Sequence, residues 1–184
     1  MGNIKLEKGK KIDLQKGFTK LRFTVNWGSE ADIDIEATLL NNNKTDEADD
    51  FIFYNNKKNK SESIIHMGDV RSGNSEDGGT ETIIIDLEKI PKNRNKIIFT
   101  ASIDCAIDKS EYFGNIGYCK CELWDDTNNK LIGTYDCQND LYGEICGKLC
   151  EIYKENDKWE VKPLGIGIGG LEELLIDVGL GDEL

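Results

Sequence analysis

Most of the chain alternates between apolar and polar residues. Residues 21–26 and 32–39 each place an apolar side chain at every second position, and residues 51–54 have a similar β-rich composition. Such alternation is typical of strands with one buried face, because successive side chains point to opposite sides. Further β-rich runs lie at 82–87, 96–103, 117–124, 130–135, 145–153 and 159–164.

Clusters of Asn, Asp and Gly separate these runs, and no repeat of 20–50 residues is visible. Many short strands joined by polar turns predict an all-β fold, a β-sandwich of two mainly antiparallel sheets. Residues 171–178 differ, because their apolar side chains recur at i, i+3, i+4 and i+7 between flanking glycines. This spacing predicts a short C-terminal helix. We expect residues 1–184 to form one domain.

The charge balance narrows the functional classes. The 184 residues include 23 Lys and Arg against 35 Asp and Glu, a formal net charge of −12. This sign disfavours nucleic-acid binding, because phosphate contacts require basic side chains. No apolar run approaches the ~18 residues of a membrane-spanning helix. Charged residues interrupt each apolar stretch near the N-terminus, so we expect no secretion signal and a cytoplasmic location.

Six cysteines lie in the second half of the chain. A cytosolic protein keeps its thiols reduced, so the even number does not by itself predict disulfides. The C-x-C and C-x3-C spacings are not standard for a zinc site, and the only histidine lies elsewhere. We interpret the cysteines as buried thiols, with a four-thiolate zinc site as the alternative. They are Cys105, Cys119, Cys121, Cys137, Cys146 and Cys150.

The strand predicted at 32–39 carries three acidic residues on one face. Asp32, Asp34 and Glu36 alternate with apolar residues, and no Lys or Arg occurs between Arg22 and Lys44 to neutralise them. A solvated acidic face explains this pattern without a ligand. A divalent cation also explains it, since calcium takes six to eight oxygen ligands.

The segment at 68–81 offers a second set of oxygen donors between two predicted strands. It contains four glycines, which permit the turns that aim carbonyl groups inward. It lacks both the EF-hand spacing and the lysine and helix of a phosphate-binding loop. The segment is therefore either a hairpin connection or part of a metal site. Its candidate ligands are Asp69, Asn74, Glu76, Asp77 and Glu81.

Two other features are weaker signals. His66 has no catalytic partner that can be recognised in the sequence, so we interpret it as structural. Asp104 and Asp108 lie in the connection at 103–113. They would approach a cation only if that connection lies at the same end of the sandwich.

Several motifs occur in a fixed order along the chain. They are KGKKIDL at 8–14, VNW at 25–27, DIDIEATLL at 32–40, DFIFYNN at 50–56, HMGDVRSG at 66–73, TETIIIDL at 80–87 and GIGIGGL at 165–171. In these motifs the chain resembles the TerD family of tellurium-resistance and stress proteins over nearly its whole length. The DFIFYNN and HMGD motifs are the most specific.

The resemblance implies a calcium-binding β-sandwich, similar in outline to C2 domains. Two further carboxylates of the family are replaced by Gly79 and Thr80, and its GDN asparagine is Val70 here. Glu76 and Asp77 lie slightly upstream as substitutes. The resemblance thus supports one cation site more strongly than a second. The predicted metal ligands are Asp32, Asp34, Asp69, Asp77 and Glu81.

These observations predict a non-enzymatic calcium-binding protein that acts as an interaction module in a tellurium-resistance or stress-response system. The resemblance implies other proteins of a Ter-type stress complex as partners. One alternative is a metal-independent scaffold, and another is a C2-like module that binds membranes through calcium. The net charge of −12 makes membrane contact peripheral at most. A magnesium or manganese enzyme is disfavoured, since no nucleophile or general base adjoins the carboxylates.

Overall fold

The computed structural model describes residues 4–14, 17–70 and 78–181. Within these residues, twelve strands form two six-stranded sheets, and the helices are a 3-10 helix at Ala48–Asp50, α1 (Ala106–Lys109) and α2 (Leu171–Val178). The strands are β1 (Ile4–Lys5), β2 (Ile12–Asp13), β3 (Lys20–Trp27), β4 (Ile33–Leu40), β5 (Phe51–Ile52), β6 (Ile64–His66), β7 (Gly79–Asp86), β8 (Lys96–Ile103), β9 (Cys119–Asp125), β10 (Lys130–Asp136), β11 (Cys146–Glu155) and β12 (Lys158–Gly167).

Each sheet contains six strands, and the strand pairing in both is mainly antiparallel. The first sheet has the order β1-β10-β9-β3-β7-β6, and the second has the order β2-β12-β11-β8-β4-β5. All described pairings are antiparallel except that of β1 with β10. The predicted all-β sandwich of mainly antiparallel sheets with a short C-terminal helix is confirmed.

The alternating residues of β3 and β4 build the core between the sheets. Leu21, Phe23 and Val25 of β3 face Ile33 and Ile35 of β4, and all five side chains are buried. Removing such apolar surface from water is the main driving force for closing the sandwich. Because the apolar residues of β4 are buried in the core, the polar residues that alternate with them must point away from the core.

A second apolar cluster covers the outer face of the second sheet. Leu174 and Val178 of α2 pack there with Leu40, Ile98 and Cys146, and all of them are buried. The helix presents these residues on one side, as its predicted amphipathic spacing requires. Helix α2 therefore covers part of the outer face of β4 and shields it from solvent.

The strand predicted at residues 51–54 is shorter than expected. Only Phe51 and Ile52 form β5, and the chain then turns. The side chain of Asn56 donates a hydrogen bond of 2.7 Å to the Phe51 carbonyl, and the Asn56 carbonyl accepts one of 3.1 Å from the Phe53 N–H. These bonds close a turn that ends the strand. The first half of β4 is consequently left without a neighbouring strand on that side.

Candidate metal centre

Glu81 is a buried residue near the start of β7, and its side chain bridges the two sheets. Its Oε2 accepts a hydrogen bond of 3.0 Å from the Ile35 N–H, and its Oε1 accepts one of 2.9 Å from the Val70 N–H. The side chain is 1% exposed. β4 pairs with β5 only at Ala37 and Thr38, so the Glu81 carboxylate occupies the position that a longer β5 would fill. Backbone hydrogen bonds therefore hold both carboxylate oxygens in place.

His66, on the neighbouring strand β6, packs against the same carboxylate. Its Nε2 lies 3.4 Å from Glu81 Oε2, and its Nδ1 accepts a hydrogen bond of 3.2 Å from the Gly68 N–H. Because Nδ1 accepts, the proton of the neutral ring lies on Nε2. His66 is 2% exposed, and within the described residues its Nε2 has no well-aligned hydrogen bond.

Three carboxylate groups converge at this end of the sandwich. One oxygen from each of Asp34, Asp69 and Glu81 lies within 4.8 Å of the other two. Asp34 comes from β4, Glu81 from β7 and Asp69 from the segment that follows β6. We refer to these three residues as the carboxylate cluster. Calcium–oxygen distances of about 2.3–2.6 Å allow two ligand oxygens of one ion to lie this far apart.

The cluster holds carboxylate groups so close together that they repel one another. Burial, followed by repulsion from Glu81 and Asp32, raises the pKa of Asp34 to about 7. Burial and the charges of Asp69 and Asp104 also raise the pKa of Asp32, although Lys109 opposes this shift. Hard oxygen donors held this close together fit a hard divalent cation.

The five predicted ligands differ in their placement. The structure brings Asp34, Asp69 and Glu81 together. Asp32 lies beside them and interacts with Asp69 and Glu81 through its charge. Asp77 lies outside the described residues, as does Glu76. Sequence reasoning thus selected all three members of the carboxylate cluster.

The connection after β8 also reaches this end of the sandwich. The Asp104 N–H donates a hydrogen bond of 2.9 Å to the Asp32 carbonyl, which places the charge of Asp104 near Asp32 and Asp34. The connection that contains Asp104 therefore lies at the same end of the sandwich as the carboxylate cluster, as a role near a cation would require. Asp104 is exposed and stands at the rim.

Glu36 does not join the carboxylate cluster, although it shares a strand face with Asp34. It is 1% exposed beneath the apolar layer of α2. Its carboxylate accepts hydrogen bonds from Thr100 Oγ1 at 2.6 Å and from Ser102 Oγ at 2.9 Å. Burial raises the pKa of Glu36 to about 8, and the two hydroxyl groups only partly offset this effect. The acidic face of β4 is therefore not uniformly solvated.

A comparison with known protein families identifies the chain's relatives. The model of the TerD domain matches residues 2–177. The chain belongs to the TerD family. The resemblance noted in its motifs is thereby confirmed, and with it the family's setting in tellurium resistance and stress response.

Individual relatives cover almost the whole chain. A tellurium resistance protein TerD from Alcaligenes sp. is 31% identical over 189 residues, which are 97% of this chain and 98% of the relative. General stress protein 16U of Bacillus subtilis (strain 168) is 31% identical over 189 residues, 96% of this chain and 97% of the relative.

Solved structures show the same fold. The crystal structure of a TerD homologue from Streptomyces coelicolor A3(2) superposes with a TM-score of 0.70 at 13% identity, covering 90% of this chain and 98% of that one. At this identity the likeness concerns the fold alone. Within the described residues, no helix has the length and apolar character needed to cross a membrane.

Proposed function

We propose that this TerD-family chain binds a calcium ion at the carboxylate cluster and acts as a non-enzymatic interaction module in a stress or tellurium-resistance response. The observation that carries the proposal is the convergence of Asp34, Asp69 and Glu81, with one oxygen of each within 4.8 Å of the others. The raised pKa of Asp34 supports it, because a bound cation would offset both the burial of this charge and the repulsion from Glu81 and Asp32.

Each ligand has a distinct role in this proposal. Glu81 is preorganised, because two backbone N–H groups hold its oxygens before an ion arrives. Asp34 supplies a charge from the rigid strand β4, and Asp69 supplies one from the connection after β6. Asp32 adds a nearby negative charge that attracts the ion. Backbone carbonyls and water would complete six to eight positions, which suits calcium better than the stricter octahedron of magnesium.

Calcium would act by joining parts of the chain that carry like charge. Asp69 belongs to the connection between β6 and β7, whereas Asp34 belongs to the second sheet. A shared ion would fix that connection against β4 and lower the negative potential at this end of the sandwich. The resulting face would dock partners, which we propose are other proteins of a Ter-type stress complex, in the cytoplasm.

A catalytic role finds little support at the cluster. His66 is the only histidine of the chain. It is buried, and its Nδ1 already accepts a hydrogen bond from the Gly68 backbone. A general base must reach the substrate proton that it removes. We therefore propose binding rather than hydrolysis as the consequence of metal loading.

The interaction role can be tested by calcium-dependent capture of partners. The tagged full chain should retain specific proteins in calcium and release them in chelator, and Asp69→Asn should retain few in either condition. Asp157→Asn is the matched control, since Asp157 is exposed in the β11–β12 turn at the other end of the second sheet. Equal capture in calcium and chelator by all three chains would favour the metal-independent scaffold. Calcium-dependent sedimentation with phosphatidylserine vesicles would favour the C2-like alternative.

A further inference from the structure

Four of the six cysteines converge in the core between the sheets. Cys119 and Cys121 lie on β9, Cys137 follows β10, and Cys150 lies on β11 of the other sheet. Each is at most 1% exposed, and all are free thiols. The prediction of buried thiols is therefore confirmed for these four residues and for Cys146, and it is wrong for Cys105, which is exposed.

The short sulfur–sulfur contact in this group joins Cys119 of β9 to Cys137, the residue that directly follows the neighbouring strand β10. Cys119 Sγ and Cys137 Sγ are 3.3 Å apart, and the Cys137 N–H donates a hydrogen bond of 3.2 Å to the Cys119 carbonyl. The register of β9 with β10 pairs Tyr135 with Cys121 and Asp136 with Lys120. The next step of this register places Cys137 directly opposite Cys119, as in a cross-strand pair.

The geometry distinguishes a disulfide from a zinc site. Four thiolates around zinc lie about 3.8 Å from one another, given a zinc–sulfur distance of about 2.3 Å. Cys121 Sγ is 3.8 Å from Cys137 Sγ, yet no three cysteine sulfurs of the described chain lie within 4.8 Å of one another. A disulfide needs only two sulfurs, and Cys119 and Cys137 must approach by about 1.2 Å to reach the bonded distance.

We propose that Cys119 and Cys137 form an oxidisable dithiol that hydrogen peroxide converts to an intrachain disulfide. One thiolate of the pair attacks a peroxide oxygen, which breaks the O–O bond, gives a sulfenic acid and releases hydroxide. The second thiol then displaces water from that sulfenic acid and forms the S–S bond. Two thiols and one H2O2 thus yield one disulfide and two waters, with two electrons passing from sulfur to oxygen.

The position of Cys137 gives a small oxidant a route to the pair. Cys137 directly follows the exposed end of β10, and β1 covers the edge of that strand only at Gly133 and Thr134. A local opening of this edge exposes the sulfur without unfolding the sandwich. The contact with Cys137 and burial raise the pKa of Cys119, whereas hydrogen bonds with Cys119 and Cys121 lower the pKa of Cys137.

Mass spectrometry of the reduced, chelator-treated chain after peroxide exposure tests the proposal. We expect an intact-mass loss of about 2 Da, since two hydrogens leave the thiols. Trypsin cuts after Lys120 and so separates Cys119 from Cys121, and a second protease that cuts after Glu144 separates Cys137 from Cys146, which makes the cross-linked peptides assignable. Cys137→Ser should abolish the loss, whereas Cys105→Ser, at an exposed site, should preserve it.

Three results would overturn the proposal. They are a disulfide that joins Cys121 to Cys137, sulfinic acid at Cys137 without any cross-link, and an intact-mass loss that persists unchanged in Cys137→Ser. Calcium binding enters none of these readouts, so they stand apart from the fate of the carboxylate cluster.

Discussion

Replacing Asp34 with asparagine is expected to stabilise the metal-free protein while it removes calcium binding. Burial, together with repulsion from Glu81, Asp32 and Asp69, raises the pKa of Asp34 to about 7. The asparagine side chain keeps the size of Asp34 and removes its charge. We expect the free energy of unfolding at pH 8 to rise by ~1–3 kcal/mol. The gain is limited to this range because solvent at this partly exposed side chain screens the repulsion.

The gain should depend on pH with a definite sign. The unfolded chain releases the Asp34 proton near the ordinary value of 3.8, whereas the folded chain keeps it until about pH 7. The contribution of this group to stability is therefore fully present below pH 3.8 and is lost as pH rises to 7. Urea unfolding in chelator should show Asp34→Asn equal to the wild type near pH 4 and more stable at pH 8. A variant less stable than the wild type at pH 8 would contradict the electrostatic account.

Replacing Glu81 should have the opposite effect on stability, although it also removes a charge from the cluster. Glu81→Ala leaves the Ile35 and Val70 N–H groups without their acceptor. An unsatisfied donor costs about 1–3 kcal/mol when it is buried, so we expect a net loss of ~2–4 kcal/mol after the relief of repulsion. Glu81→Gln retains one acceptor oxygen and should lose about half as much.

Urea denaturation in chelator measures this loss without any contribution from bound metal. Glu88→Gln is a suitable control, because Glu88 is exposed in the turn directly after β7. It should change the free energy of unfolding by less than ~0.5 kcal/mol. If Glu81→Ala were as stable as this control, the carboxylate would not be the anchor between the two sheets that its hydrogen bonds indicate.

Much of the fold could be predicted from local patterns. The alternation in β3 and β4 and the helical spacing of α2 report which side of each element is buried, and such patterns determine element type. The end of β5 could not be predicted this way. It depends on hydrogen bonds between Asn56 and the backbone of Phe51 and Phe53, which the apolar character of the segment conceals.

The residues of the site could be predicted better than their roles. The acidic alternation and the family resemblance together selected Asp34, Asp69 and Glu81. The anchoring of Glu81 by the Ile35 N–H could not be foreseen, because it arises where two sheets meet and β5 is short. The contact of His66 with Glu81 likewise depends on the pairing of β6 with β7. Spacing along the chain carries no signal for either contact.

The contact between Cys119 and Cys137 likewise could not be predicted from spacing along the chain. The two residues are 18 positions apart, and their sulfurs meet only because β9 and β10 adopt one particular register. The sequence drew attention instead to C-x-C and C-x3-C, whose members share a strand. Register depends on the whole sheet and on the turn between the strands, so it could not be read from the cysteines themselves.

Calorimetric titration of the chelator-treated chain with calcium, and with magnesium for comparison, tests the claim that the carboxylate cluster binds calcium. We expect one calcium per chain with a Kd in the micromolar range or tighter. We also expect little heat from magnesium, no binding by Asp69→Asn and unchanged binding by Asp157→Asn. No calcium heat and no thermal stabilisation at millimolar calcium would contradict the claim. The carboxylate cluster would then be a feature of a metal-independent scaffold.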